Sequence, residues 1–263
     1  MTAVQSAPRF AGKVVIVTGA GSGIGQGVAT AFAREGAAVY GIDIDRRSIE
    51  RSAQAASGAP GQFIPLTADV SNPEQVSASV AQVLAQGRGV DVLVNNAGIN
   101  MGQRIAELEL TDWNRVFDTN LRSVYLYSKA VWPSFVSRRS GVIVNVASVM
   151  GQVGGVSAPA YCAAKAGIIM LSRCLAKDGG PQGIRVNSVC PGYIDTPIMD
   201  RVLAEAPDPA KARQAIIDKM PLGRMGSVQD VAAAILFLAS ADALYISGTE
   251  LTIDGAVTAT QID

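Results

Sequence analysis

A short apolar run at residues 13–18 (KVVIVT) passes straight into the glycine-rich segment Thr18-Gly-Ala-Gly-Ser-Gly-Ile-Gly25, and residues 24–35 follow with apolar side chains at helical spacing. β-Branched residues in a short bounded run predict a strand, and the change to a 3.6-residue period beyond the glycines predicts a helix. A strand that feeds a helix in this way returns to a parallel neighbour by a right-handed crossover. The alternation recurs along the chain. Further strands are expected at residues 38–42, 63–66, 90–94, 142–147, 185–189 and 250–253, and helices at 46–56, 73–86, 111–137, 158–177 and 228–238. The fold class expected is therefore α/β, a doubly wound parallel sheet of about seven strands with helices on both faces. No linker or internal repeat divides it, so residues 1–263 are read as a single domain. Residues 193–226, with four prolines and two amphipathic pieces, break the alternation and are read as a lid over a pocket.

Composition fits such a sheet and narrows the chemistry. Apolar residues make up 49% and aromatics only 5%, so the core must come mainly from Ala, Val, Ile and Leu, as strands buried on both faces require. Twenty-two basic and twenty-two acidic residues cancel, leaving no global field to recruit nucleic acid or an anionic membrane. A small-molecule partner is expected instead. The absence of histidine and the scattered Cys162, Cys174 and Cys190 argue against catalytic zinc, a metal site or a disulfide framework. Residues 1–10 lack the basic start and apolar stretch of a secretory signal, and no apolar run approaches the length of a membrane span. A cytoplasmic protein is the expectation.

Consecutive glycines between a strand and a helix expose backbone N–H groups and the positive end of the helix dipole to a phosphate. The spacing here is GxxxGxG, through Gly19, Gly23 and Gly25, with Ser22 and Ile24 between them. A tight turn that only packs helix on strand is the plainer alternative. Asp43, at the end of the second strand, favours the dinucleotide reading, since a carboxylate there accepts hydrogen bonds from ribose hydroxyls. This is the arrangement of a Rossmann fold. The same carboxylate repels the extra phosphate of NADP, and Ser22 offers no cation, so NAD is the cofactor expected. Arg46 and Arg47 could turn toward a ribose phosphate, but a solvated helix face explains them as well.

Interconverting an alcohol and a carbonyl requires a group that gives and takes a proton. A phenol is too weakly acidic for this unless a neighbouring ammonium favours the phenolate, and Tyr-x-x-x-Lys on a helix puts both groups on one face. Two such pairs occur, Tyr125 with Lys129 and Tyr161 with Lys165. Tyr161 lies thirteen residues after Ser148, which follows the buried run VIVNVA and would sit at the carboxyl edge of the sheet, where ligands bind. Tyr125 has Asp112 at that offset and is read as packing or interface.

The chain resembles the short-chain dehydrogenase/reductase family from Gly12 to Gly255. The motifs that carry the likeness occur in order: Thr18 to Gly25, Asp69-Val70, Asn95 to Gly98, Asn120, Ser148, Tyr161 with Lys165, Pro191-Gly192 and Ile253-Asp254-Gly255. The resemblance implies that Ser148 orients the substrate oxygen and Tyr161 exchanges the proton. It further implies that Lys165 holds the nicotinamide ribose and lowers the tyrosine pKa, with Asn120 completing a water-mediated relay. Asp69 and Val70 would contact adenine. Asn96, Ala97 and Gly98 would support the sheet and the adenosine ribose, though turn chemistry at a strand end explains the asparagines equally. Pro191 and Gly192 would border the nicotinamide, and Ile194 and Thr196 would meet its carboxamide.

Around the reacting carbon the neighbouring segments supply mainly apolar or small residues, among them Met150, Val153, Ala158, Tyr193 and Met199, with Asn100 and Gln152 as neutral hydrogen-bonding groups. An uncharged secondary alcohol or ketone, cyclic or a polyol, is the substrate expected. The family likeness also implies a homotetramer. Two competing readings are an NADPH-dependent 3-oxoacyl-carrier-protein reductase and a dinucleotide-binding sensor or scaffold without catalysis. Asp43 and the balanced charge count against the first, and the intact Asn, Ser, Tyr and Lys set against the second.

Overall fold

The strand run that opens the chain becomes β1 (Val14–Thr18), and the helix beyond the glycines becomes α1 (Gly23–Arg34). The computed structural model describes residues 8–259, so most of the start read above for a secretory signal lies outside it. The alternation continues through β2 (Ala38–Asp43), α2 (Arg46–Ala55), β3 (Gln62–Thr67), α3 (Pro73–Leu84) and β4 (Val92–Asn95). Beyond them come α4 (Leu110–Phe117), α5 (Ser123–Arg138), β5 (Gly141–Val146), α6 (Pro159–Gly179) and β6 (Ile184–Pro191). Helices α7 (Pro197–Ala204), α8 (Pro209–Ile217) and α9 (Val228–Ala239) precede β7 (Glu250–Ile253).

Among the described residues the seven strands form one parallel sheet in the order β3-β2-β1-β4-β5-β6-β7. The order reverses between β1 and β4, and sheets of this kind bind ligands beside such a reversal, at the carboxyl ends of the strands. Because side chains alternate along a strand, each central strand feeds two cores. Val15, Val17, Val94, Val144 and Val189 pack with Val28, Phe32 and Ile235 of α1 and α9. Ile16, Ile42, Leu93 and Ile143 pack on the other face with Val80 of α3 and Tyr127 and Phe135 of α5. Aliphatic side chains dominate both cores, as the low aromatic content requires.

The single helix expected at 111–137 is interrupted. A π-helical turn, Asp118–Arg122, separates α4 from α5 and turns Asn120 inward, where it is wholly buried. Both atoms of its amide bond the backbone of Ile99: Ile99 N–H donates to Oδ1 at 2.7 Å, and Nδ2 donates to the Ile99 carbonyl at 2.8 Å. An extra residue in a helical turn re-aims side chains in this way, and such turns concentrate at functional sites. The irregular stretch 193–226 contains α7 and α8, which begin with proline in the first turn and are capped by Thr196 and Asp208.

Candidate active site

The glycine-rich loop ends in a helix whose N-terminus is free for an anion. Ser22, the N-cap residue of α1, makes no capping hydrogen bond with its side chain, and the first turn carries no acidic residue. The leading N–H groups of α1 therefore lack the usual side-chain partner. Gly19 and Gly23 adopt positive φ of 65° and 53°, which L side chains rarely tolerate. Gly21, outside the GxxxGxG spacing, is committed to Asp43: its N–H donates to Asp43 Oδ2 at 2.9 Å, and a methyl built on it would lie 2.7 Å from that oxygen. The other oxygen, Oδ1, accepts the N–H of Asp45 at 3.0 Å. Asp43 thus holds the glycine-rich loop against the start of α2, half-buried at the end of β2. Arg46 is turned away into an ion pair with Glu50 at 2.8 Å.

On the far side of the switch point, Thr18 and Asn96 join the two loops. Thr18 Oγ1 accepts the N–H groups of Asn96 and Ala97 at 3.0 and 3.1 Å, while Asn96 Nδ2 donates to the carbonyls of Thr18 and Gly19. Thr196 approaches the glycine-rich loop from the β6 side, since a methyl built on Gly23 would touch its side chain at 3.7 Å.

The residues expected to handle the proton converge on the carboxyl ends of β4 and β5. Ser148 is buried just beyond β5, where its Oγ accepts the Met150 N–H at 3.1 Å. Tyr161 and Lys165 sit in the first two turns of α6 with Lys165 Nζ 5.5 Å from the centre of the Tyr161 ring. The buried ammonium donates to the Val146 carbonyl at 2.7 Å. Gly98 leaves space beside both polar groups, since a methyl there would fall 2.8 Å from Asn120 Oδ1 and 3.5 Å from Lys165 Nζ. Met101, Trp113 and Phe117 pack in the apolar cluster that includes Tyr161.

Burial controls the titration of this pair, contrary to the expectation of a lysine-depressed phenol. It pushes Tyr161 above the usual tyrosine range, and the neighbouring Ser148 hydroxyl pulls the other way. Lys165 is itself drawn down to about 8 by desolvation.

A family model described as enoyl-(acyl carrier protein) reductase matches residues 19–258. The chain is 38% identical over 249 residues to a 3-oxoacyl-[acyl-carrier-protein] reductase of Thermotoga maritima, covering 95% of this chain and 99% of that one. It is 36% identical over 251 residues to 2-(S)-hydroxypropyl-CoM dehydrogenase 3 of Xanthobacter autotrophicus, covering 95% and 98%. The crystal structure of levodione reductase superposes with a TM-score of 0.92 at 34% identity, over 96% of this chain and 100% of that one. The chain belongs to the short-chain dehydrogenase/reductase family.

Membership implies a nicotinamide dinucleotide and oxidoreduction at CH–OH or keto groups. The uncapped glycine-rich N-terminus of α1 and the acidic end of β2 fit such a cofactor. Several motif residues of this short-chain dehydrogenase/reductase also have partners within the protein. Asp69 Oδ1 is drawn into its own turn by the N–H and hydroxyl of Ser71, at 2.8 and 2.7 Å, because an aspartate at a loop start readily accepts from residue i+2. Val70 beside it is buried in the core. Gly192 is required by Asp254, whose Cβ would lie 2.8 Å from an added methyl, and its N–H donates to Ile253 at the end of β7. Ile194 buries its side chain against Gly226, which leaves only its backbone for a ligand.

The expected pocket residues are likewise unequal. Ala158 is buried, Met150, Tyr193 and Met199 are half-buried, Asn100 is exposed, and Val153 is 48% exposed rather than part of a wall or core. Gln152 is engaged with Thr252 of β7 at 3.0 Å. Tyr125 and Lys129 hydrogen-bond each other at 3.1 Å on the exposed face of α5, apart from Ser148. Of the cysteines, Cys190 is buried, Cys162 half-buried and Cys174 exposed. Gly21 was the residue missed by spacing; its signal was proximity to an acidic strand end.

Proposed function

We propose that this chain transfers a hydride between NAD(H) and an uncharged secondary alcohol or ketone in the cytoplasm, with Tyr161 as the acid/base. The observation that carries the reading is the convergence of Ser148, Tyr161, Lys165 and Asn120 on one edge of the sheet, opposite the phosphate loop and Asp43.

The nicotinamide, when bound, supplies or accepts the hydride. Ser148 orients the substrate oxygen and stabilises its developing charge through its hydroxyl. The Tyr161 phenol, whose burial raises its pKa above the ordinary value, gives its proton to that oxygen in reduction, and in oxidation its phenolate takes the proton back. Lys165, anchored on the Val146 carbonyl, retains N–H donors for the nicotinamide ribose. Asn120 spends its side-chain amide on Ile99, so it holds the β4 loop in place and any proton relay through it uses its backbone. Gly19, Ser22, Gly23, Ile24 and Gly25 would cradle the pyrophosphate, and Asp43 would take the adenosine ribose hydroxyls and disfavour a phosphate there.

Residues 193–226 act as the substrate lid in this reading, with Tyr193 and Met199 facing the ligand. A homotetramer would use the surface around α5 and α6, where Phe117 of α4, Leu121 of the π-helical turn, Tyr125 of α5, and Gly167 and Leu171 of α6 line a groove of about 420 Å³.

A second reading, an NADPH-dependent 3-oxoacyl-[acyl-carrier-protein] reductase, is favoured by the name of the Thermotoga relative. One screen separates the two: secondary alcohols, polyols, ketones and a 3-oxoacyl thioester, each with NAD(H) and NADP(H), followed by nicotinamide absorbance. We expect NAD(H) to be preferred by at least about tenfold, with turnover of uncharged alcohols or ketones. Preference for NADPH with a strict thioester requirement would establish the second reading instead.

A further inference from the structure

Beneath the catalytic edge, the α5 and α6 face of the sheet changes from aliphatic to polar. Asn95 of β4 and Asn145 of β5 are register neighbours, and both are buried. Asn95 Nδ2 donates to Asn145 Oδ1 at 2.8 Å, Asn145 Nδ2 donates to Ser172 Oγ of α6 at 2.8 Å, and Ser172 Oγ donates to the Ile168 carbonyl at 2.7 Å. A longer contact of 3.4 Å joins Asn95 Nδ2 to Ser128 Oγ of α5. This directional chain crosses from sheet to helix through an interior where polar groups are costly unless satisfied. Asn95 Oδ1 has no partner among the described residues, so Asn95 is held through its amide N–H groups alone.

We propose that Asn145 is a positioning residue: its amide, held between Asn95 and Ser172, fixes the roll of α6 that brings Lys165 and Tyr161 to the catalytic edge. The inference rests on the reading of that pair as proton-handling.

Of the contacts that hold α6, few are directional. α6 packs on its neighbours through small or aliphatic groups, Ala160, Ala164, Ile168 and Ile169, whose contacts are non-directional and tolerate a small rotation. The hydrogen-bond chain does not tolerate one, because its geometry degrades steeply off line. Asn145 also immediately precedes Val146, whose carbonyl holds the Lys165 ammonium. Ser172 lies seven residues, about two helical turns, beyond Lys165, on the same side of α6. The two attachments of α6 to β5 therefore come from consecutive residues of the strand, one anchoring the helix and the other the catalytic lysine.

The test compares Ser172→Ala and Asn145→Leu with Ser79→Ala, which removes a buried hydrogen bond to Tyr127 between α3 and α5. The substrate is the ketone that the native protein reduces fastest in the screen above. For Ser172→Ala we expect NADH affinity, read by fluorescence, to change less than about threefold while kcat falls about tenfold. Its crystal structure should show Lys165 Nζ displaced from Val146. Ser172→Thr, which keeps the hydroxyl, should restore kcat, and Ser79→Ala should lower thermal stability without changing kcat. Asn145→Leu should exceed Ser172→Ala in its effect on kcat. The proposal is overturned if Ser172→Ala behaves like Ser79→Ala and keeps Lys165 on Val146. Retained turnover in Tyr161→Phe would instead overturn the reading of the pair, whatever the position of Lys165 in Ser172→Ala.

Discussion

Asn120 and Ile99 are joined by a closed pair of hydrogen bonds, with the asparagine side chain completing both the N–H and the carbonyl of one loop residue at 2.7 and 2.8 Å. The π-helical turn makes this possible, and the pair ties the helix that carries Asn120 to the loop that carries Gly98. Replacing Asn120 by Leu should leave both Ile99 groups without their partners. We expect a loss of about 2–3 kcal/mol in stability by denaturant unfolding, together with a drop in turnover. Unchanged stability would mean that the loop finds other partners.

Lys165 makes a pH prediction with a definite sign. Its folded pKa of about 8 lies below its ordinary value of 10.5, so the unfolded chain binds the proton more tightly. Stability is therefore penalised below pH 8 and recovers as pH rises from about 8 toward 10.5. Cys190, pushed up to about 11 from 9.0 by burial, opposes that gain above pH 9. The clear window is pH 8 to 9. There the native protein should gain about 1 kcal/mol relative to Lys165→Met, measured by urea unfolding at matched ionic strength. Parallel pH dependence of the two proteins would show that Lys165 titrates normally.

Gly21 should separate cofactor binding from chemistry. An alanine there would press on Asp43 Oδ2 and displace the carboxylate that holds the phosphate loop. The expected result for Gly21→Ala is at least about a tenfold loss of NADH affinity by fluorescence titration, with kcat at saturating cofactor changed far less. Equal affinity would show that the loop does not depend on the Asp43 contact.

These outcomes turn on details of unequal legibility. The five inner strands were readable because each is a short β-branched or apolar run, and parallel strands buried on both faces keep that pattern, while the edge strands β3 and β7 are partly exposed. The glycine-rich turn from β1 into α1 and the Tyr161–Lys165 pairing on α6 were readable because their geometry is local. Contacts between residues distant in the chain were not. The clash that makes Gly192 a glycine comes from Asp254, and the partner that buries Asn145 is Ser172 on another element. Asn95 looked like turn chemistry but is the last residue of β4 and pairs with Asn145. The π-helical turn was hidden inside a convincing helical period, because the residue it serves, Ile99, lies 21 positions away on another loop. The direction of the Tyr161 shift escaped for a similar reason: spacing reveals the lysine but not the burial around it.

The central claim is that Tyr161 handles the proton, and one substitution tests it directly. Tyr161→Phe removes the hydroxyl while keeping the ring that packs among Met101, Trp113 and Phe117. Turnover of the best substrate from the alcohol and ketone screen should fall by at least about a thousandfold, with NADH affinity within about threefold of the native value. Turnover near the native rate in a folded, cofactor-binding Tyr161→Phe protein would contradict the account.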